Sequence, residues 1–179
     1  MKKLLLIFVF TLTISSCYAQ AFEIIKVIQA DSISASNLYG IAKDWIVHSF
    51  PSPQKVIQVD DPTRNYIACK GTIDYSKGFM TYAAYTGYVD YTLIIEARDG
   101  RIRVQITNVC HRNIPPGSAS CSLGLILETD KQFTKGSLKG FNNNVCKDIK
   151  IRIIKLAQDV FPSIEDYIKS PTSSHNEEW

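Results

Sequence analysis

The residues of this 179-residue chain that could do chemistry are five cysteines, three histidines, an acidic pair and a run of tyrosines. Cys110-His111 sets a thiol beside an imidazole, the partners of a nucleophile and its base. Neighbours on a strand point to opposite faces, so the imidazole does not reach that sulfur, and the pair reads as a core cysteine beside a surface histidine. His48 falls near a helix end, where positive charge suits the terminal carbonyls, and His175 lies in the C-terminal tail. Asp60-Asp61, followed by Pro62-Thr63, reads as a strand end and a turn with side-chain caps, in preference to a metal or acid–base site. The sequence shows no Gly-rich phosphate loop, no Ser-His-Asp order and no metal-ligand spacing. No catalytic residue, metal ligand or cofactor is therefore assigned.

Apart from Cys17, the cysteines are Cys69, Cys110, Cys121 and Cys146, an even number that permits two disulfides in three connectivities. Cys69 and Cys110 fall on strands two apart, roughly 9–10 Å from each other and beyond the ~7 Å limit for a bridge. That leaves Cys69–Cys121 with Cys110–Cys146, or Cys69–Cys146 with Cys110–Cys121. The preferred bridge is Cys110–Cys121, which staples a loop to a strand end. The alternative is four unpaired cysteines serving as small apolar residues. The tyrosines are the strongest functional lead. Tyr75, Tyr82, Tyr85, Tyr88 and Tyr91 cluster with Phe79 and Met80. Tyr82, Tyr85 and Tyr88 could hold a peptide, a glycan or an apolar ligand, although strand propensity and loop packing are the preferred account of these aromatics.

These residues must be positioned by strands and two helices. Phe22 to Ile28 is apolar and β-branched, a first strand. In Ser34 to Phe50, Leu38, Ile41, Ala42, Trp45 and Ser49 share one helical face. Ser34 or Ser36 caps that helix, and Pro51 and Pro53 stop it. Lys55 to Asp60 and Asn65 to Tyr75 are the next strands, with Ile57 and Val59 on one face of the former. Tyr88 to Arg98 and Arg101 to His111 flank Asp99-Gly100, a two-residue hairpin turn. Counting outward pairs Ala97 with Ile102, Ile95 with Val104, Leu93 with Ile106, Tyr91 with Asn108 and Val89 with Cys110, almost all apolar. Glu96 faces Arg103 on the other side, and a one-residue slip would bury both charges. Asn113 to Thr134 is Gly/Ser-rich, and Cys121 to Leu127 within it fits a short strand or a helix. Asn144 caps a second helix, Val145 to Val160, ended by Phe161-Pro162, and Ser163 to Lys169 fits one further turn. The expectation is an α+β domain of order β-α-β-β-β-β-α, an antiparallel sheet with two helices packed on one face. Trp45 presses onto that face.

Met1-Lys-Lys and the apolar run Leu4 to Ile14 have the form of a secretory signal and are too short to span a bilayer, which needs ~20 residues. Cleavage near Ala19 suits signal peptidase. Ile14-Ser-Ser-Cys17 resembles a lipobox, in which Cys17 would carry lipid. The expected organisation is a signal peptide over 1–19, one domain over 22–169 and a disordered tail over 170–179. Loss of Lys2 and Lys3 leaves 18 basic against 17 acidic residues, a net charge of +1. So near-neutral a chain lacks the basic footprint that nucleic-acid binding requires.

The words Leu38-Tyr39-x-x-Ala42-Lys43-x-Trp45-Ile46-x-x-x-Phe50, Val56-Ile57-Gln58-x-Asp60-Asp61 and Lys70-Gly71 resemble a family of small exported bacterial proteins. That family is the domain of unknown function 4468, with a TBP-like fold. The resemblance spans about Phe22 to Phe161 and weakens between Asn113 and Thr134. It implies the fold, in accord with the helix-on-sheet reading, and no catalytic residues. The fold name describes shape, not DNA binding. The combined expectation is an exported periplasmic or outer-membrane-associated protein of a Gram-negative bacterium. It would be a non-enzymatic binding or interaction domain for a protein, glycan or small apolar ligand, touching membrane only through lipid at Cys17. The alternatives are a thiol-dependent enzyme or redox protein using Cys69, Cys110 or Cys121, and a structural module of an envelope assembly.

Overall fold

The structure, a computed structural model, describes residues 20–78, 80–114 and 121–170. The leader with Cys17, and His175 with the rest of 171–179, lie outside them. The elements run β1 (Ile24–Gln29), α1 (Ala35–Ser49), α2 (Pro53–Val56), β2 (Ile57–Asp61), β3 (Tyr66–Tyr75), a 3₁₀ turn (Met80–Tyr85), β4 (Gly87–Arg98), β5 (Arg101–Asn113), β6 (Gly124–Leu125) and α3 (Lys139–Lys169). The expected α+β order holds, with β6, the short α2 and the 3₁₀ turn added to it.

The antiparallel sheet has the order β1-β5-β4-β3-β2, and β6 pairs with β5. Its centre is the hairpin read from Asp99-Gly100. Ala97 pairs with Ile102, Ile95 with Val104, Leu93 with Ile106, and Glu96 with Arg103 on the opposite face. Ile95, Leu93, Ile102, Val104 and Ile106 are all buried. Helices α1 and α3 cover this inner face. Leu38, Ala42, Trp45 and Ile46 of α1 are buried, as are Val145, Ile149, Ile153, Ala157, Phe161, Ile164 and Ile168 of α3. Trp45 lies between the two helices, and its indole Nε1–H donates to Ser163 Oγ at 3.0 Å. Ser34 caps α1 by accepting from the Asn37 N–H. Ala35 N–H donates to Asp99 Oδ1 at 2.8 Å, tying the start of α1 to the hairpin tip.

Four expectations need correction. The hairpin register slips beyond Thr107: Thr92 still pairs with Thr107, but Asp90 pairs with Cys110 and Val89 with His111. Asn108 and Val109 together oppose Tyr91, a β-bulge, and Asn108 takes φ 52° there. One extra residue reverses the alternation of the strand beyond it, so Val109 and His111 face the core while Cys110 and Arg112 face out. The second helix begins at Lys139, five residues before Asn144, and runs through Pro162. Proline removes one backbone hydrogen bond, but Ala157, Phe161, Ile164 and Ile168 keep one apolar stripe on the core across it. At the other edge, Pro53–Val56 is helical, and a bulge between Ile57 and Val59 leaves Val59 exposed. Ser170, the first residue of the expected tail, caps α3, its N–H donating to Asp166 O.

Candidate functional site

Helices close the inner face of the sheet, and the outer face carries the charge. Around the hairpin tip, period-two alternation sends Glu96 and Arg98 of β4 and Arg101 and Arg103 of β5 to that face. Arg98 pairs with Arg101 and Glu96 with Arg103 across the strands, while Val27 of β1 pairs with Arg103 from the other side. These five residues line a depression of about 160 Å³. Glu96 accepts from Arg98 Nη2 at 3.0 Å and from Arg103 Nη2 at 2.6 Å. The Arg98 hydrogen bond and the Arg103 charge hold its carboxyl below the usual carboxylate range against the opposing effect of burial. Among the described residues the Arg101 guanidinium has no ion pair or hydrogen-bond partner. Three guanidiniums against one carboxylate leave a charge of +2 over an apolar floor, with most of the guanidinium N–H donors unused. That arrangement suits a carboxylate or another planar anion, which guanidinium binds through two parallel hydrogen bonds.

The tyrosines do not form one surface. Tyr85 is buried, and its hydroxyl donates to Asn142 Oδ1 at 2.6 Å. Tyr82 lies 6.3 Å from the Tyr85 ring and 5.6 Å from Phe141, with Lys77 Nζ 4.5 Å from its centroid. Tyr82 and Tyr85 are thus brought together as packing that anchors the start of α3. Tyr88 stands on the outer face under the Arg112 guanidinium, 4.4 Å from its centroid. It lies eight residues along β4 from Glu96, or roughly 26 Å. Asn144, read as a helix cap, and its neighbours Asn142 and Asn143 serve as tethers. Asn142 holds Tyr85, Asn143 exchanges two bonds with the Phe133 backbone, and Asn144 reaches the Tyr82 hydroxyl.

All four cysteines in the described residues are free thiols, so the expected Cys110–Cys121 bridge is not formed. The bulge supplies the reason, since it turns Cys110 to the outer face while Cys121 packs against the core. Burial pushes the Cys69 and Cys146 thiols up to about 11, which keeps them protonated and poor nucleophiles at neutral pH. The same bulge overturns the surface histidine. His111 is wholly buried, with Nε2 2.9 Å from Tyr85 O and Nδ1 accepting from the Leu123 N–H at 3.2 Å. One nitrogen faces an acceptor and the other a donor, which fixes a neutral imidazole with its proton on Nε2. Asp61 caps its turn, accepting from Thr63 N and Oγ1 and from Arg64 N, and pairs with Arg64 Nε at 2.7 Å. Asp60 binds Lys43 at 2.7 Å and the Tyr39 hydroxyl. No cluster of His, Cys, Asp and Glu able to hold a metal occurs among the described residues.

Sequence reasoning missed the arginines as a site, although a signal was present. Turn arithmetic places Glu96 and Arg103 on the outer face, and the same count places Arg98 and Arg101 beside them.

A family model described as a domain of unknown function (DUF4468) with TBP-like fold matches residues 25–112. Over those residues the chain is similar to DUF4468 domains. The match runs from β1 to the end of β5 and therefore contains every residue of the arginine depression. Two solved structures share the fold. A TBP-like protein from Parabacteroides distasonis ATCC 8503 superposes with a TM-score of 0.59 at 11% identity, over 82% of this chain and 94% of that one. A DUF4468 family protein from Bacteroides ovatus ATCC 8483 superposes with a TM-score of 0.52 at 16% identity, over 86% and 89%. No curated protein matches the sequence. The DUF4468 match and these neighbours establish the fold and assign no activity to it.

Proposed function

We propose that the chain is an exported, non-enzymatic binding domain of the cell envelope, and that its outer sheet face holds a ligand bearing a carboxylate or similar anion. The observation that carries this reading is the arginine depression, in which one unpaired and two shared guanidiniums surround a single carboxylate above Val27. Two of the guanidiniums are already held in place by Glu96, and their remaining N–H donors lie in the same depression as Arg101. Export rests on the basic, apolar leader, and the intact mass of protein recovered from the envelope tests it by reporting the cut site and any acyl chain on Cys17.

Binding is tested by titrating succinate while following the arginine Nε–H resonances by NMR. Saturable shifts at Arg98, Arg101 and Arg103 are expected. Arg101→Gln should weaken the apparent affinity about tenfold, the loss of roughly 1.4 kcal/mol that one charge-assisted contact supplies. Shifts that stay linear in succinate, or that ignore the Arg101 substitution, would remove the depression as the site.

A further inference from the structure

The two edges of the sheet are treated differently. At β2 the edge is guarded in the ways that prevent strand addition. A bulge separates Ile57 from Val59, Pro53 precedes the strand and Pro62 follows it, and the charged Asp60 is held by Lys43. At β1 there is no bulge and no proline between Ile24 and Gln29, and the one charged residue, Lys26, points inward and is paired with α3. The Ala30 N–H donates to Gly100 O at 2.9 Å, which fixes the parity of the antiparallel pairing. Ile28, Lys26 and Ile24 therefore direct their backbone groups at β5, and Ile25, Val27 and Gln29 direct theirs away from the sheet. Ile25 and Val27 also expose their side chains on the outer face, by 47% and 49%. The inward Lys26 is held by Glu165 of α3 at 2.6 Å, which steadies the strand from beneath.

We propose that the β1 edge accepts an extended peptide segment of a partner as an additional antiparallel or parallel strand, with Asp or Glu at alternate positions facing Arg101 and Arg103. This inference rests on the anion reading of the arginine depression and names the class of partner it serves. Charge selects the occupant. Val27 of β1 lines the same depression as Arg101 and Arg103, so the guanidiniums and the strand edge border one space, although Arg103 itself is drawn toward Glu96 of β4 at 2.6 Å. The added backbone lies two strand spacings from β5, roughly 10 Å, a gap that an arginine and a facing glutamate span together. A second copy docked by its own β1 would bring two clusters of +2 over the joined strands with no acid between them, which like-charge repulsion opposes. An acidic strand satisfies both requirements at once: its backbone pairs with Ile25, Val27 and Gln29, and its carboxylates complete the guanidiniums.

The test uses the full chain and three synthetic peptides, each about ten residues long to exceed the edge. They are alternating Glu-Thr, alternating Lys-Thr, and Glu-Thr carrying N-methyl groups on alternate amides. The Glu-Thr peptide is expected to bind at least tenfold more tightly than Lys-Thr, and to slow hydrogen exchange at the amides of Ile25, Val27 and Gln29. N-methylation should weaken it by a further tenfold or more, because it removes the donors without touching the protein. In Arg101→Glu/Arg103→Glu the preference should reverse toward Lys-Thr. Binding of Glu-Thr that ignores N-methylation, or that leaves those three amides unprotected, overturns strand addition while the anion reading stands. Equal binding of Glu-Thr and Lys-Thr, or binding of neither, overturns strand addition by an acidic segment, and the succinate titration then decides the anion reading separately. Protection of the same amides without any peptide also overturns the proposal. It would then assign the edge to a second copy if concentration-dependent, or to the chain's own Glu177-Glu178 segment if abolished by deleting 171–179.

Discussion

His111 shows how much a single position can determine. It is buried as a neutral ring between Tyr85 O and Leu123 N, edge-on to Tyr75 at 5.4 Å. Burial lowers its pKa below the ordinary 6.5, against the smaller upward effect of the Tyr85 carbonyl. The folded state therefore resists protonation, while the unfolded chain takes up its proton as pH falls through about 6.5. Stability contributed by this group is complete above that pH and is lost below it, until the depressed folded value is reached. The slope approaches, at most, about 1.4 kcal/mol per pH unit. Urea unfolding at stepped pH should show stability falling from about pH 6.5 downward, before carboxylates such as Glu96, whose pKa is lowered, begin to titrate. His111→Gln should lower stability at every pH but flatten that slope. An unchanged slope in the variant would place the titrating group elsewhere. The sequence carried the alternation that located His111 on a strand but not the direction it faces. That depends on the extra residue at Asn108, and an asparagine in a strand does not by itself announce a bulge.

The same contrast holds for whole elements. The hairpin was legible because Asp99-Gly100 fixes a two-residue turn and the apolar count then admits one register. The first helix was legible because cap, stripe and proline stop agree with one another; the cap and the stop occur where expected, and the buried stripe keeps Leu38, Ala42 and Trp45 but takes Ile46 in place of Ser49. The limits of α3 were not, because Pro162 signals termination locally while Phe161, Ile164 and Ile168 reward continuation, and burial of that stripe wins. Lys70-Gly71, quoted as a packing word, acquires a physical reason in β3. Gly71 pairs with Tyr91, and a Cβ at Gly71 would collide with the Tyr91 ring atoms. The ring is buried and fills the space a side chain would take. Gly71→Ala is expected to destabilise the domain by about 1–3 kcal/mol through overpacking, seen as a lower urea midpoint with unchanged m-value. In a Tyr91→Val background the ring is gone, so the added penalty of Gly71→Ala should largely disappear. An equal penalty in both backgrounds would mean that the two residues do not compete for the same volume.

The molecule as a whole is a sheet with one closed face and one open one. The closed face is where the sequence was most informative, since burial imposes periodicity on both strands and helices. The open face was least informative, because surface charge obeys no period, and its arginines gain meaning only when Val27 of β1 is placed beside β5. That placement joins residues about seventy-five apart in sequence, a pairing that no local pattern reveals. An open face beside an edge without bulge or proline is a hazard for self-association, and the net +2 of Arg98, Arg101 and Arg103 with Glu96 opposes it by repulsion between copies. Arg101→Gln/Arg103→Gln removes the excess charge while leaving Glu96 its Arg98 partner at 3.0 Å. In sedimentation velocity the wild-type chain should remain monomeric at low salt, and the double variant should associate in a concentration-dependent way. Raising ionic strength toward ~1 M, where charges screen within about 3 Å, should move the wild type in the same direction. Adding Val27→Lys to the double variant should restore the monomer by charging the edge itself. A double variant that stays monomeric would show that the arginines do not guard β1, and that whatever keeps that edge apart lies in the backbone geometry of the strand.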